Sequence, residues 1–193
     1  MLGGLQGPLL CNLRERGITM ILILAGASHT GKTLLAQRLL EQLHWPYFSI
    51  DHLKMGLIRS GMTDLTVFDD EKMTEYLWPI LREMIKTAIE NNQNLILEGC
   101  YVPFDWAKDF DGDYLSNIRC RWLIMTRRYI ETHYERILGH ANAIEQRLPG
   151  GSPGRDELIG ENERNLACCL EQGCDYVLID QEYPVALWKE VLP

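Results

Sequence analysis

Short apolar runs and helical apolar repeats alternate along the chain, and the two patterns predict different elements. Residues 20–25, Met-Ile-Leu-Ile-Leu-Ala, form an apolar run that is typical of a strand buried on both faces. In residues 32–43, leucines recur at helical spacing with polar residues between them. The same strand-then-helix order repeats toward the C-terminus, which predicts an α/β protein.

The pattern predicts a complete set of elements. Strands are expected at residues 20–25, 46–50, 94–97, 120–125 and 175–179. Helices are expected at residues 32–43, 51–59, 69–91, 128–139, 156–172 and 184–192. This alternation predicts a three-layer sandwich, in which a five-stranded parallel sheet carries helices on both faces.

The length of 193 residues suits one domain with a sizeable core. Residues 1–19 precede the first strand, and we expect them to form a poorly ordered N-terminal arm. Residues 20–193 are expected to form the single domain. The Gly- and Pro-rich stretch within residues 141–154 interrupts the helical pattern, which predicts a small lid near 139–160.

One motif lies between the first strand and the first helix. Residues 26–33 read GASHTGKT and match the phosphate-binding pattern G-x-x-x-x-G-K-[ST] at every fixed position. The two glycines allow backbone N–H groups to turn toward phosphate oxygens, and Lys32 adds a positive charge for the β- and γ-phosphates. The predicted nucleotide contacts are Gly26, Ala27, Ser28, His29, Thr30, Gly31, Lys32, Thr33 and Leu34.

Two acidic residues follow other predicted strands, and ligands of parallel sheets bind at the carboxyl ends of strands. Glu98 ends the run Leu-Ile-Leu-Glu, and we expect it to hold Mg²⁺ together with the hydroxyl of Thr33. The alternative is a helix-capping or surface carboxylate. Asp51 follows the second strand and is predicted to orient or deprotonate an acceptor hydroxyl. It would also serve as the N-cap of the next helix.

Phosphoryl transfer builds negative charge, which calls for arginines that close over the site. Arginines flank or lie within the predicted lid at Arg136, Arg147, Arg155 and Arg164. Each of them has the alternative of being a solvated surface residue. The predicted catalytic set is Lys32, Asp51 and Arg136.

The charge balance excludes several classes of partner. The net charge is −8, and binding to a nucleic-acid backbone or an anionic membrane depends on clustered Lys and Arg. No apolar run reaches membrane-spanning length, and the N-terminus is a poor signal peptide.

The six cysteines include no C-x-x-C pair, so reduced thiols in a cytoplasmic protein are expected. The oligomeric state stays open.

With these motifs in place, the chain resembles the small-molecule kinase branch of the P-loop proteins. That group includes nucleoside-monophosphate-, shikimate- and gluconate-kinase-like proteins, and also zeta-toxin-like enzymes. Residues 96–103, Ile-Leu-Glu-Gly-Cys-Tyr-Val-Pro, are similar to the acidic third-strand motif of 2-phosphoglycerate-kinase-like proteins. Arg136-x-x-x-His140 resembles the Arg-x-x-x-Arg entry to an adenylate-kinase lid, but His140 departs from that pattern. The resemblance implies a P-loop NTPase fold with an acceptor site in residues 51–59.

The sequence therefore predicts an ATP- and Mg²⁺-dependent phosphotransferase that acts on a small hydroxyl- or phosphate-bearing acceptor. Two alternatives stay open. One is a P-loop ATPase that acts as a nucleotide-dependent switch with a protein partner. The other is a zeta-toxin-type kinase that phosphorylates a nucleotide sugar. The identity of the acceptor cannot be read from the sequence.

Overall fold

The strands form one parallel sheet. In the computed structural model, which describes residues 19–140 and 153–183, the strands are β1 (Ile21–Gly26), β2 (Tyr47–Ser49), β3 (Leu95–Glu98), β4 (Ile118–Met125) and β5 (Tyr176–Ile179). Their order is β2-β3-β1-β4-β5, and every neighbouring pair is parallel. β1 is thus the central strand, and the carboxyl ends of all the strands lie at one edge of the sheet.

Helices connect these strands. They are α1 (Lys32–Leu43), α2 (Ile50–Arg59), α3 (Asp70–Glu90), α4 (Gly112–Leu115), α5 (Arg127–Gly139) and α6 (Arg155–Gln172). A 3₁₀ turn (Trp106–Asp109) precedes α4. The predicted arm before residue 19, most of the predicted lid and the predicted helix at 184–192 lie outside the described residues.

Side chains of β1 alternate between two hydrophobic clusters because successive residues of a strand point to opposite faces. Leu22 and Leu24 pack with α1, α5 and the first turns of α6. Ile21 and Ile23 pack with α3 on the other face. All four side chains are fully or almost fully buried. The predicted three-layer α/β fold is therefore confirmed.

Most element boundaries differ from the predictions by one or two residues, and two of these differences have a clear cause or consequence. β2 ends at Ser49 and α2 begins at Ile50, so Asp51 lies in the first helical turn and the N-cap position belongs to Ser49. The prediction that Asp51 is the N-cap residue is therefore wrong. β4 begins at Ile118, two residues earlier than expected, because the polar Arg119 and Arg121 interrupt the apolar run while remaining within the strand.

α5 and α6 form an antiparallel pair that follows β4. Near the sheet, the guanidinium group of Arg127 donates to the Glu163 carboxylate at 2.9 and 3.0 Å. Toward the other end of the pair, the hydroxyl of Tyr134 donates to the carbonyl of Pro153 at 2.8 Å. Within α6, Asn162 is buried and accepts the backbone N–H of Met125 at 2.9 Å, which fixes the helix to the end of β4.

The last residue of β1 approaches the neighbouring strand closely. Gly26 pairs with Leu123 and has a φ of +134°, a conformation that other L-residues rarely adopt. A Cβ at this position would lie 2.4 Å from the carbonyl oxygen of Leu123. The glycine is therefore required both by its backbone conformation and by the distance between the two strands.

We predict that Gly26→Ala lowers the free energy of unfolding by about 2 kcal/mol or more, because the added methyl group forces β1 and β4 apart. Gly56→Ala is the matched control. Gly56 lies inside α2 with no atom near its Cβ position, so alanine there is expected to raise stability by about 0.5–1 kcal/mol. Urea unfolding followed by circular dichroism measures both effects. Equal midpoints for Gly26→Ala and the parent protein would contradict the prediction.

Candidate functional site

The phosphate-binding motif forms the turn between β1 and α1. Gly26, His29 and Gly31 have positive φ angles of 134°, 65° and 82°. Gly31 is the N-cap residue of α1, so the unpaired N–H groups at the start of that helix face the loop. This arrangement of backbone donors at a helix N-terminus is an anion-binding geometry.

Lys32 is the first residue of α1 and is only 5% exposed. Its ammonium group donates to the carbonyl oxygen of Ala27 at 2.7 Å, across the turn. The hydroxyl of Thr30 donates to the same carbonyl at 2.9 Å. The loop thus holds its own lysine charge inside the turn, at the place where phosphate oxygens would be neutralised.

Thr33 and Glu98 are in contact at the base of the loop. The hydroxyl of Thr33 donates to Oε2 of Glu98 at 3.2 Å, and Glu98 is 2% exposed. The parallel register places Glu98 beside Leu24 of β1 and Ser49 of β2. The hydroxyl of Ser49 is buried and has no hydrogen-bond partner among residues 19–140 and 153–183. These oxygen donors have the chemistry that Mg²⁺ prefers, so the residues fit the ion that the sequence predicts.

Cys100 lies between the loop and the acceptor side. Its sulfur is 3.9 Å from the hydroxyl oxygen of Ser28. Burial raises the pKa of the Cys100 thiol, Lys32 acts in the opposite direction, and the carboxylates of Asp51 and Glu161 raise the pKa further. Independently of this thiol, the pairing of Ser49 with Glu98 places Asp51, two residues after the end of β2, at the same edge of the sheet as the phosphate loop.

A polar cluster of the buried Lys54 and Tyr101 with the exposed Asp70 adjoins Asp51. Lys54, one helical turn after Asp51, is 6% exposed and donates to the Tyr101 hydroxyl and, at 3.4 Å, to the Asp70 carboxylate. The Tyr101 hydroxyl donates to the same carboxylate oxygen at 2.9 Å. Burial raises the pKa of Tyr101 well above its usual range, and Asp70 and Asp51 add to the shift. The phenol therefore remains protonated, and the cluster fixes the start of α3 beside the start of α2.

A carboxylate from α6 reaches the phosphate loop. The backbone N–H of Ser28 donates to Oε1 of Glu161 at 3.3 Å, and Glu161 is half-buried. Burial raises the pKa of Glu161, while Lys32, Ser28 and Arg164 act in the opposite direction. A loop built to bind anions thus already binds an anionic side chain of the same protein.

Tyr183, which follows β5, covers the other side of the loop. Its hydroxyl lies 3.4 Å from the carbonyl oxygen of Gly31, and a Cβ at Gly31 would lie 2.5 Å from that hydroxyl. Burial raises the pKa of Tyr183 to about 12, so the phenol is neutral where it contacts the loop. The second glycine of the motif is therefore favoured by its φ angle, and a larger residue there would require the tip of the Tyr183 side chain to move.

The predicted lid arginines differ in their placement. Arg136 lies exposed in the last turn of α5, and no contact among the described residues joins it to the phosphate loop. Arg155 lies over the ring of Tyr134 at 5.1 Å, and the exposed Arg164 folds back along Gly160. Arg147 falls outside the described residues. A catalytic role for Arg136 stays a prediction.

Sequence reasoning missed several residues of this site for different reasons. Lys54 lies one helical turn after Asp51, so helical spacing could have placed it beside that residue. Cys100 and Tyr101 closely follow Glu98 in the sequence, which could have placed them near the site. Glu161 and Tyr183 reach the loop only through the packing of α6 and of the segment after β5. No local pattern in the sequence marks either of them.

Other features of the described residues do not compete with this site. A depression of about 410 Å³ lies at the opposite edge of the sheet, beside the starts of β2 and β3. No cluster of three or more His, Cys, Asp or Glu side chains that could hold a metal ion occurs within residues 19–140 and 153–183. In the same ranges, no helix has the length and apolar character needed to cross a membrane.

No protein-family model matches the chain. No curated protein matches it in sequence either.

Solved structures, in contrast, share its fold. A shikimate kinase from Acinetobacter baumannii in complex with shikimate is 16% identical, with a TM-score of 0.56 over 92% of this chain and 93% of that one. A deoxyadenosine kinase from M. mycoides with bound dCMP and dCDP is 16% identical, with a TM-score of 0.51 over 89% and 96% of the two chains. An unliganded sugar kinase from Janibacter sp. is 15% identical, with a TM-score of 0.50 over 91% and 96%.

These structures align over most of both chains, and at such identities the likeness is one of fold. The phosphate loop of this chain also occupies the position that its motif requires, between the central strand and the first helix. The chain therefore has the α/β fold of the P-loop small-molecule kinases, as the resemblance in its motifs predicted.

Proposed function

We propose that the protein is an ATP- and Mg²⁺-dependent phosphotransferase that moves the γ-phosphate to a small hydroxyl- or phosphate-bearing acceptor. The observation that carries this proposal is the contact of the Thr33 hydroxyl with the buried Glu98 at 3.2 Å, next to the buried Lys32 of the loop. Ser49 pairs with Glu98, so Asp51, two residues after the end of β2, follows at the same edge of the sheet. A nucleotide phosphate on the loop would therefore have an acceptor held beside Asp51 as its neighbour.

On the donor side, the turn supplies backbone N–H groups and the positive end of α1. When the nucleotide binds, the ammonium group of Lys32 gives up its hydrogen bond to the carbonyl oxygen of Ala27 and donates to phosphate oxygens instead. This exchange keeps the ammonium group paired in both states, so little desolvation accompanies binding. The charge that develops on the transferred group is then met by a preorganised cation.

Thr33 and Glu98 are the residues that would hold Mg²⁺, with the Thr33 hydroxyl released from its hydrogen bond to Glu98. When bound there, Mg²⁺ would supply positive charge that offsets the negative charge of the phosphate oxygens. Glu98 is buried between β1 and β2, so its carboxylate is held at a fixed distance from the loop.

On the acceptor side, Asp51 orients the acceptor hydroxyl toward the γ-phosphorus. The hydroxyl oxygen forms the new bond as the bond to the bridging oxygen of ADP breaks, and the hydroxyl proton passes to the Asp51 carboxylate. The Lys54–Tyr101–Asp70 cluster holds the first turn of α2, and Asp51 with it, against the end of β3. This support limits the orientations that the carboxylate can adopt.

Arg136 completes the proposed catalytic set. It lies at the end of the α5–α6 pair from which the predicted lid departs. We propose that its guanidinium group reaches the transferring phosphate only in the nucleotide complex, where it neutralises charge and helps to exclude water.

We predict that Lys32→Ala reduces ATP turnover by about 10²-fold or more, because the cation nearest the transferred charge is lost. Lys72→Ala removes an exposed lysine of α3 and should leave turnover unchanged. Coupled measurement of ADP release tests both variants, and thermal unfolding checks that Lys32→Ala retains its fold. Undiminished ATP consumption by folded Lys32→Ala would overturn the assignment.

Asp51→Asn is expected to abolish acceptor phosphorylation while ATP still binds, because the amide cannot take the hydroxyl proton. Asp64→Asn, in the exposed loop between α2 and α3, is the control for the loss of one carboxylate. The assay is ATP consumption against nucleoside monophosphates, sugar acids, nucleotide sugars and glycerates. If no acceptor raises ATP consumption and Asp51→Asn behaves as the parent, the protein is better described as a nucleotide-dependent switch.

We predict that Glu98→Gln raises the Mg²⁺ concentration required for half-maximal turnover by about tenfold or more, because the ion loses a charged partner. Glutamine keeps the shape of the side chain and can still accept the Thr33 hydroxyl, so packing is retained. A Mg²⁺ titration at saturating ATP measures the shift. An unchanged titration would remove Glu98 from the proposed ion site.

A further inference from the structure

We propose that Glu161 is an internal competitor for the phosphate loop, and that it sets the affinity for the nucleotide. In the empty protein its carboxylate occupies part of the loop, and the phosphates of the donor displace it. This inference rests on the proposed function only in that it requires a nucleotide to bind at the loop.

The contact itself is the first support. The Ser28 N–H belongs to the motif whose backbone donors bind phosphate, and it donates to the Glu161 carboxylate at 3.3 Å. The carboxylate also lies within reach of the Lys32 charge. Glu161 thus occupies a loop donor and is attracted by the charge of the loop cation, and these are the two kinds of interaction that a phosphate group requires.

The position of α6 determines how the Glu161 side chain can leave the loop. Asn162, the next residue, is 1% exposed and is hydrogen-bonded to the backbone of Met125 at 2.9 Å. Its amide also donates to the carbonyl of Leu158, within α6, at 2.9 Å. The helix is therefore fixed at this point, and the half-buried Glu161 side chain must leave the loop by rotating about its own bonds. Such a rotation needs no movement of the sheet.

Charge makes the displacement unfavourable. A carboxylate that stays near the loop repels the phosphates, and one that leaves loses the hydrogen bond from Ser28 and the attraction of the Lys32 charge. The other charged or titratable groups that face Glu161 are Arg164 on α6, Asp70 on α3 and Cys100 after β3. Nucleotide affinity is therefore lower than the loop alone would give, and it rises when the Glu161 charge is removed.

The direction of the pH dependence follows. Burial raises the pKa of Glu161, so its carboxylate becomes neutral as the pH falls through a value above that of an ordinary glutamate. A neutral carboxyl group no longer repels phosphate. The affinity of the parent protein should therefore approach that of a variant without this charge as the pH falls.

The test compares ATP and ADP binding to the full chain, by isothermal titration calorimetry, in Glu161→Gln, Glu161→Ala and the parent. Both variants should bind about tenfold more tightly than the parent at about pH 8, and this ratio should fall toward one at about pH 5. Glu171→Gln removes an exposed charge from the last turn of α6 and should bind within about twofold of the parent.

The outcomes separate the two proposals. If the parent binds neither ATP nor ADP, with or without Mg²⁺, the proposed function fails. If the parent binds nucleotide but both Glu161 variants bind with equal or weaker affinity, the competitor role is overturned and the proposed function stands. Tighter binding that shows no change of ratio with pH would also overturn it, because a general improvement in loop packing would not depend on titration of Glu161.

Discussion

The close backbone contact between Gly26 of β1 and Leu123 of β4 is the constraint on which the site depends. It ends the central strand against its neighbour, so the chain must turn at once, and the positive φ angles of the loop follow from that turn. β1 is buried on both faces, so it cannot shift to admit a larger residue at Gly26. The loop, the start of α1 and the end of β3 are therefore held in one fixed arrangement.

In the site built on this arrangement, the nearby carboxylates outnumber the buried cations. Glu98, Glu161 and Asp70 lie close to the loop or to the acceptor side, and the buried cations available to them are Lys32 and Lys54. Each lysine is already paired with an oxygen of the protein. An incoming polyphosphate adds negative charge to this environment, so binding must either bring a cation with it or release a carboxylate. The proposed Mg²⁺ site would bring the cation, and the proposed displacement of Glu161 would release the carboxylate.

The sequence predicted those parts of the site that depend on local patterns. The GASHTGKT motif, the apolar run before it and the acid at the end of β3 are contiguous signals, and the structure brings Thr33 into contact with Glu98 as expected. The boundary between β2 and α2 was predicted less accurately. The strand continues into the helix without a turn, so no turn residues mark the boundary in the sequence.

Contacts between distant parts of the chain were not predictable. Ser28 and Glu161 are separated by 133 residues, and Gly31 and Tyr183 by 152. Their meeting depends on how α6 and the chain after β5 pack onto the sheet, and neither Glu161 nor Tyr183 differs in type from an ordinary surface residue. The same limit applies to Lys54, which looks like an exposed helix lysine until Tyr101 and Asp70 are placed beside it.

The Lys54–Tyr101–Asp70 cluster has a consequence for how this scaffold can diversify. It joins α2, the end of β3 and the start of α3 directly. The distance between α2 and α3 is therefore set by the cluster and not by residues 60–69, which connect the two helices. Closing a longer loop between fixed ends costs little additional free energy. Exposed side chains in this connection, such as Met62 and Phe68, can be exchanged without moving Asp51 or Glu98. The length and sequence of this connection can therefore vary while the residues proposed to carry out phosphoryl transfer stay in place.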